Sequence, residues 1–185
     1  MPRLFIGIEL PARYQLQVTP FTQTLGTDLH SSVRWSKPGN WHLTLKFLGE
    51  IDESRLPRII EALTAIRFDP FVLQAGGAGV FPRTQHPRVV WLGLKEGAKA
   101  CTALALQIED ALAPLDIPQE KKQFRPHLTL GRIRRLGRDN WADVIKRAAA
   151  HSWPQFTVDR FILWHSALQP EGAVHTRLQE CVCSG

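Results

Sequence analysis

The chain has 185 residues, of which 44% are hydrophobic and 22% are charged, with 13 glycines and 13 prolines. This is the composition of a globular protein, and it excludes disordered, collagen-like and coiled-coil chains. The length fits one compact domain or two small lobes that share a core. The formal net charge of +6 and the isoelectric point near 9.7 favour an anionic partner, but charge alone selects no function.

No stretch of the sequence approaches the roughly 18 consecutive apolar residues of a membrane span. The start of the chain carries Glu9 where a signal peptide would continue its apolar run. The cysteines are Cys101, Cys181 and Cys183, an odd number without zinc spacing, which indicates reduced thiols. We therefore expect a cytoplasmic protein with no membrane partner.

The hydrophobic pattern, taken in chain order, mixes strands and helices. Alternating apolar residues predict a strand at 3–9, and a weaker helical pattern follows over about 11–26, which Pro20 should kink or end. Further strand-like runs lie at 42–48, 71–75, 88–94, 127–133, 156–164 and 174–183. Amphipathic helical patterns cover 56–66, 101–112 and 141–148. Short connections between consecutive strands predict antiparallel pairing and hence an α+β fold.

The tetrapeptide His-Leu-Thr-Leu occurs twice, at 42–45 and at 127–130. Each copy is followed by an amphipathic helix and then by a strand that opens 29 residues past the histidine, at Phe71 and at Phe156. Such self-similarity predicts a duplicated unit of helix, strand, helix, strand, strand. We place the two copies at approximately 1–94 and 95–185.

A duplicated chain without a flexible linker predicts a single bilobal domain over residues 1–185. The expected architecture has two pseudo-symmetric lobes, each an antiparallel sheet with helices on its outer face, and a central cleft between the lobes. Because the duplication already supplies internal symmetry, we expect a monomer.

The repeated motif places polar side chains together on apolar-backed strands. Side chains two apart on a strand share a face, so His42 projects with Thr44, and His127 projects with Thr129. Histidine serves as a general acid or a general base near neutral pH, and threonine hydroxyls can donate to phosphate oxygens. Packing fixes only the apolar positions of such strands, so two identical polar pairs indicate one joint catalytic site.

Metal and nucleophile chemistry have little support in the sequence. Neither motif has an Asp or Glu on its strand face, and alternation places Lys46 beside His42 and Thr44, where it would repel a cation. A site without metal or cofactor is therefore favoured. There is no Gly-x-Ser-x-Gly motif, and the glycine-rich stretch 76–79 lacks the Gly-Lys-Ser/Thr of a phosphate loop, so it predicts a strand irregularity.

The sequence resembles the 2H phosphoesterase superfamily and, within it, the RNA 2′,3′-cyclic phosphodiesterases, also called 2′-5′ RNA ligases. The resemblance spans nearly the whole chain. Its segments are Arg-Leu-Phe-Ile-Gly-Ile-Glu-Leu-Pro at 3–11, Trp-His-Leu-Thr-Leu-Lys-Phe-Leu-Gly at 41–49, Phe-Pro-Arg at 81–83, Pro-Arg-Val-Val-Trp-Leu-Gly at 87–93, Pro-His-Leu-Thr-Leu-Gly-Arg at 126–132 and Ser-Ala-Leu-Gln-Pro-Glu-Gly-Ala at 166–173.

This resemblance implies hydrolysis, without metal, of a terminal 2′,3′-cyclic phosphate on RNA to a 2′-phosphomonoester. Reversible 2′-5′ ligation of RNA ends is a further expectation. The resemblance also implies the roles of the two histidines, which nothing in their local sequence distinguishes. His42 would donate a proton to the leaving 3′ oxygen, and His127 would accept a proton from water. Thr44 and Thr129 would hold the phosphate of an RNA end or a cyclic nucleotide.

Further substrate contacts remain open at this point. Strict alternation turns Arg132 away from His127, but a bulge at Gly131 would turn it back toward the phosphate; the alternative is a solvated surface position. Other candidates are Lys46 for the phosphate, Phe5, Trp35 and Trp41 for stacking on a base, and His86 for the groove. The histidines expected to be structural or exposed are His30, His151, His165 and His175.

Three alternative functions also remain open. The chain could be a basic module that holds an RNA end without turning it over, which salt-sensitive retention of unchanged RNA would reveal. It could be a 2H phosphodiesterase for a different cyclic or 2′-5′ linked nucleotide. It could be a metal hydrolase, which inactivation by EDTA would support.

Overall fold

The computed structural model describes residues 1–169 and 172–184. Residues 170 and 171, part of the segment 166–173 above, and residue 185 lie outside the described ranges. Within these ranges the strands are β1 (Arg3–Glu9), β2 (Ser32–Trp35), β3 (His42–Glu50), β4 (Phe71–Phe81), β5 (Val89–Glu96), β6 (Leu128–Arg135), β7 (Phe156–Val158), β8 (Arg160–Gln169) and β9 (Gly172–Val182). The α-helices are α1 (Ala12–Gly26), α2 (Leu56–Thr64), α3 (Ala98–Leu112) and α4 (Trp141–Ala150).

All strand pairs are antiparallel, and the strands follow one order, β7-β4-β5-β6-β3-β1-β8-β9, with β2 paired to β6. Strands β3, β1, β8 and β9 form what we call the β1 sheet, and β2, β6, β5, β4 and β7 form the β5 sheet. Strands β3 and β6 connect the two sheets, and within the described ranges they pair at Leu43 and Leu128. The predicted α+β class with antiparallel sheets is thus confirmed, with the two sheets joined into one curled strand order.

The helices cover one face of this strand order. Helices α2 and α3 pack against the β1 sheet, and α4, with α1 beside it, packs against the β5 sheet. Leu43 and Leu128 are 0% exposed and point into this helix-covered core. We call the opposite side of the sheets the open face. The helical stripes that fill the core include Ile59 and Leu63 of α2, Leu104 and Ile108 of α3, and Val144 and Ala148 of α4.

Each sheet takes strands from both halves of the chain. The β1 sheet combines β1 and β3 with the C-terminal strands β8 and β9, and the β5 sheet combines β4 and β5 with β6 and β7. The predicted order helix, strand, helix, strand, strand is extended in both copies: β2 is an additional strand before β3 in the run from α1 to β5, and β7 and β8 stand in place of one strand in the run from α3 to β9. The duplication at approximately 1–94 and 95–185 stays a prediction.

Several element boundaries differ from the sequence pattern. Helix α1 runs through Pro20, because buried residues on both sides of the proline, Val18 and Thr22, hold the helix to the core. The strand expected at 156–164 is two strands separated at Asp159. Strand β2 was not predicted, since its four residues are too short for a periodic signal.

The glycine-rich stretch 76–79 is a strand irregularity, as predicted. It lies inside β4, whose register against β5 shifts between Gln74 and Ala75 and again between Ala75 and Ala78. Gly77 has a φ of 70°, a left-handed conformation that glycine adopts without strain.

A bulge in β3 reverses the direction of Lys46. Strand β1 pairs Gly7 with Thr44 and Ile6 with Lys46, so Leu45 is an extra residue on β3. Lys46 consequently points into the helix-covered core, where its Nζ donates to Glu109 Oε2 at 2.7 Å and to the Pro118 carbonyl at 2.9 Å. The expectation that Lys46 shares the face of His42 is wrong, and Lys46 has no access to a phosphate there.

The ion pair between Lys46 and Glu109 predicts a specific stability effect. The Lys46 side chain is 1% exposed, so Glu109→Ala leaves a buried ammonium without its counter-charge. We expect the free energy of unfolding to fall by about 3 kcal/mol in urea titrations.

Two variants serve as controls for this experiment. Asp110→Ala removes the same charge from an exposed position of α3 and should change stability by less than about 0.5 kcal/mol. The double variant Lys46→Met/Glu109→Ala should recover most of the loss. Equal destabilisation by Glu109→Ala and Asp110→Ala would contradict the role assigned to the pair.

Candidate active site

The pair Leu43 and Leu128 sets the geometry of the site. In an antiparallel pair, the next residues on either side also lie opposite each other, which brings His42 toward Thr129 and Thr44 toward His127. Directly opposite residues have Cβ atoms about 4.5–5.5 Å apart. All four residues are half-buried, whereas the leucines between them are buried in the core. Both His-x-Thr pairs therefore meet on one patch of the open face.

The two imidazoles are held by the same hydrogen bond. His42 Nδ1 donates to the Asn40 carbonyl at 2.7 Å, and His127 Nδ1 donates to the Arg125 carbonyl at 2.7 Å. A carbonyl only accepts, so each Nδ1 carries a proton and each Nε2 keeps its lone pair in the neutral ring. Nε2 is thus the reactive atom of both rings, able to accept a proton or, once protonated, to donate it.

Aromatic neighbours enclose His42. Its ring stacks on Phe5 with centroids 4.6 Å apart and meets the edge of His175 at 5.2 Å. Burial lowers the pKa of His42 from the ordinary 6.5 to about 4; the hydrogen bond to the Asn40 carbonyl raises it, and the nearby charges of His175 and Arg132 lower it further. His42 is consequently neutral in the free protein at pH 7.

His127 has a similar but less enclosed setting. The edge of Phe81 meets its ring at a centroid distance of 5.1 Å. The ring centroids of Trp91 and His127 are 6.3 Å apart. Burial lowers the pKa of His127, the bond to the Arg125 carbonyl raises it, and the charge of Arg132 lowers it. His127 therefore also favours the neutral form that a general base requires.

Arg132 lies on the open face because of a bulge in β6. Strand β5 pairs Trp91 with Thr129 and Val90 with Gly131, so Leu130 is the extra residue. The bulge expected at Gly131 thus falls one residue earlier, and both Leu130 and Gly131 are buried. Arg132 is turned to the face of Thr129, where its positive charge lowers the pKa of both histidines.

The bulges of β3 and β6 occupy equivalent positions, each three residues after its histidine. In β6 the bulge presents Arg132 on the open face, and in β3 it presents Phe47, which is 58% exposed and lies opposite Phe5 on β1. Phe47 was not among the residues that the sequence indicated for the site. The signal that could have found it is the repeat itself, since Phe47 and Arg132 follow their histidines by the same five residues.

The aromatic candidates for base stacking are not free to stack. Phe5 and Trp41 are each 2% exposed, and Trp35 is half-buried against the core. His86 is exposed in the β4–β5 connection. His175, expected to be structural or exposed, contacts the ring of His42 instead, because β9 packs beside β8 in the β1 sheet.

The described part of the chain offers no metal site. In residues 1–169 and 172–184, no group of three or more His, Cys, Asp or Glu side chains is placed to hold a metal ion. The cation beside the two histidines is Arg132, which favours an anionic ligand. Among the described residues, no helix has the length and apolar character needed to cross a membrane.

A comparison with protein families matches both halves of the chain to the same family. The family model described as LigT like Phosphoesterase matches residues 8–91 and, a second time, residues 92–175. The chain belongs to this family. Each match contains one of the two His-x-Thr motifs of this LigT-like phosphoesterase, and the resemblance to the 2H phosphoesterases is confirmed.

Curated relatives extend the match over nearly the whole chain. A protein of Archaeoglobus fulgidus named RNA 2′,3′-cyclic phosphodiesterase is 35% identical over 177 residues, which cover 96% of this chain and 98% of the relative. A protein of the same name from Thermotoga maritima is 33% identical over 187 residues, with 99% and 96% covered.

Solved structures share the fold of this LigT-like phosphoesterase. The crystal structure of Escherichia coli LigT complexed with 3′-AMP has a TM-score of 0.81 and 26% identity, and the match covers 100% of this chain and 99% of that one. A Thermus thermophilus protein has a TM-score of 0.77 and 28% identity, with 97% of both chains covered.

The lowered histidine pKa values predict how the stability of this LigT-like phosphoesterase depends on pH. His42 binds its proton near pH 6.5 in the unfolded chain but only near pH 4 in the folded one. The unfolded state therefore gains protons first, and folding stability is lost as the pH falls from about 6.5 to 4. His42 alone contributes about 3 kcal/mol to this loss.

Urea unfolding at pH 7, 5.5 and 4.5 measures this effect. His42→Gln should flatten the decline relative to the parent chain, whereas His86→Gln, at an exposed position, should leave it unchanged. The same decline in all three proteins would argue against the burial of a neutral His42.

Proposed function

We propose that this protein hydrolyses 2′,3′-cyclic phosphate ends of RNA to 2′-phosphomonoesters without a metal ion. The observation that carries the proposal is the pairing of Leu43 with Leu128, which brings His42 and His127 to one patch with matching hydrogen bonds. The names of the relatives from Archaeoglobus fulgidus and Thermotoga maritima support the same substrate class. The net charge of +6 suits an RNA substrate.

The proposed reaction is an in-line displacement at phosphorus. His127 Nε2 takes a proton from water, and the water oxygen forms a bond to phosphorus. The bond between phosphorus and the 3′ oxygen breaks, and protonated His42 Nε2 gives its proton to that oxygen. The products are a 2′-phosphomonoester and a 3′-hydroxyl. If the 5′-hydroxyl of a second RNA attacked phosphorus in place of water, the same proton transfers would join the two RNA ends through a 2′-5′ bond.

Three further side chains are assigned to the phosphate. The hydroxyls of Thr44 and Thr129 donate to the non-bridging oxygens, whose negative charge grows in the transition state. Arg132 supplies a fixed positive charge on the same face. Donors that are already in place stabilise this charge without reorganisation when the reaction occurs.

Protonation of the acid is coupled to substrate binding in this proposal. Burial keeps the pKa of His42 near 4 in the free protein, which opposes the acid role. An anionic phosphate beside the ring raises that pKa, because an opposite charge within about 4–6 Å favours the protonated form. The assignment of His42 as acid and His127 as base follows the family, since burial lowers the pKa of both rings.

Substitution of either histidine tests the proposal. We expect His42→Ala and His127→Ala each to lower kcat by roughly 10²–10⁴-fold on an oligoribonucleotide with a 2′,3′-cyclic end, because each removes one proton transfer. His86→Ala, at an exposed position in the β4–β5 connection, is the matched control and should keep full activity.

The product and the effect of EDTA separate the remaining possibilities. Mapping the phosphate to the 2′ oxygen supports the proposed reaction, and retention of RNA with an unchanged end group would favour a binding module. Inactivation by EDTA would favour a metal hydrolase. Full activity of either histidine variant would remove the proposed mechanism.

The pH dependence of kcat/KM tests the two assigned roles. The parent enzyme should give a bell-shaped profile, with the acidic limb set by the base and the alkaline limb set by the acid. The residual activity of His127→Ala should lack the acidic limb, and that of His42→Ala should lack the alkaline limb. The reverse pattern would exchange the roles of the two histidines.

A further inference from the structure

Arg34 lies beside Arg132 on the open face. The two residues are direct cross-strand partners of β2 and β6. A methyl group added at Gly131 would lie 2.8 Å from the side chains of both Val33 and Trp35, so these two residues point to the core side of β2. Arg34, between them in the strand, therefore projects to the opposite side, which is the side of Arg132.

Among the described residues, this pair of like charges has no counter-charge. Like charges directly opposite each other on a sheet are destabilising. In residues 1–169 and 172–184, no carboxylate lies within 4.0 Å of the charged group of Arg34 or Arg132. The ion pairs there involve His30, Lys46, Arg147, Arg160 and Arg177. Both arginines are exposed, and the pair is suited to an anion from outside the chain.

The position of Arg34 indicates which anion it receives. Under the proposed function, Arg132 faces the cyclic phosphate, and Arg34 lies one strand farther out, about 4.8 Å away across the sheet. Strand β2 pairs with β6 alone among the described strands, so the surface beyond Arg34 is the edge of the sheet. An RNA chain that enters over this edge carries a phosphodiester next to its terminal nucleotide, and a cyclic mononucleotide does not.

We propose that Arg34 binds the phosphodiester that precedes the terminal nucleotide and thereby selects RNA chains over cyclic mononucleotides. This inference rests on the proposed function, because it takes the cyclic phosphate to lie at the two histidines. Guanidinium groups suit this task, since their planar donors match phosphate oxygens in pairs. The preference is independent of base sequence, because phosphates carry none.

The test compares two substrates in one enzyme. The kcat/KM is measured for a short single-stranded oligoribonucleotide with a 2′,3′-cyclic end and for a 2′,3′-cyclic mononucleotide. Arg34→Ala should lower the ratio of kcat/KM for the oligoribonucleotide to kcat/KM for the mononucleotide about tenfold. This is the effect expected for loss of one charge-assisted phosphate contact. Arg58→Ala removes the same charge from an exposed position of α2 and should leave the ratio unchanged.

A salt series gives a second readout that does not depend on turnover. The affinity for an oligoribonucleotide that ends in a 2′-phosphate is measured by fluorescence anisotropy at several salt concentrations. Each phosphate contact on a single strand contributes about 0.7 to the slope of log K against log salt, so Arg34→Ala should lower the slope by about that amount. Arg58→Ala should keep the parent slope.

The outcomes separate the two proposals. Hydrolysis by the parent enzyme with the same ratio in Arg34→Ala would overturn the role of Arg34 and leave the proposed function intact. Absence of hydrolysis in the parent enzyme would overturn the proposed function, and the salt series then decides the phosphate contact by itself. An unchanged slope in Arg34→Ala would overturn the contact in either case.

Discussion

The pairing of Leu43 with Leu128 is the contact on which the rest of the site depends. It joins the β1 sheet to the β5 sheet and fixes the register in which the two His-x-Thr motifs meet. Both leucines are fully buried, so the hydrophobic effect that builds the core also sets the polar side chains between them on the open face. A register slip of one residue would send the histidines into the core and the leucines into water.

Two bulges modify this simple alternation and give the site its chemistry. The extra residues Leu45 and Leu130 occur at the same place in the two motifs. After each bulge the strand has changed phase, which buries Lys46 against Glu109 and exposes Arg132 beside the histidines. Arg132 is therefore available as a cation beside the histidines, while Lys46 serves the core.

Much of the fold and the centre of the site could be predicted from the sequence, because they depend on local patterns. The alternating leucines of the first motif determine the face of the strand on which His42 and Thr44 lie. The repeat of the motif indicates that the second His-x-Thr pair belongs to the same site. Lys46 was assigned to the wrong face because a bulge depends on the partner strand, which local sequence does not specify. The contact of His175 with His42 was missed for a related reason, since their strands meet only through β1 and β8.

The β1 sheet combines strands that are far apart in the sequence, so the enclosure of His42 depends on contacts of wide sequence separation. Phe5 belongs to the first strand and His175 to the last, and both touch the same imidazole. Contacts of such wide sequence separation form slowly, because loop closure must precede them. A nascent chain that lacks β9 would hold His42 in an incomplete shell, so the enclosure of this imidazole is completed only after β9 has been synthesised and has paired with β8.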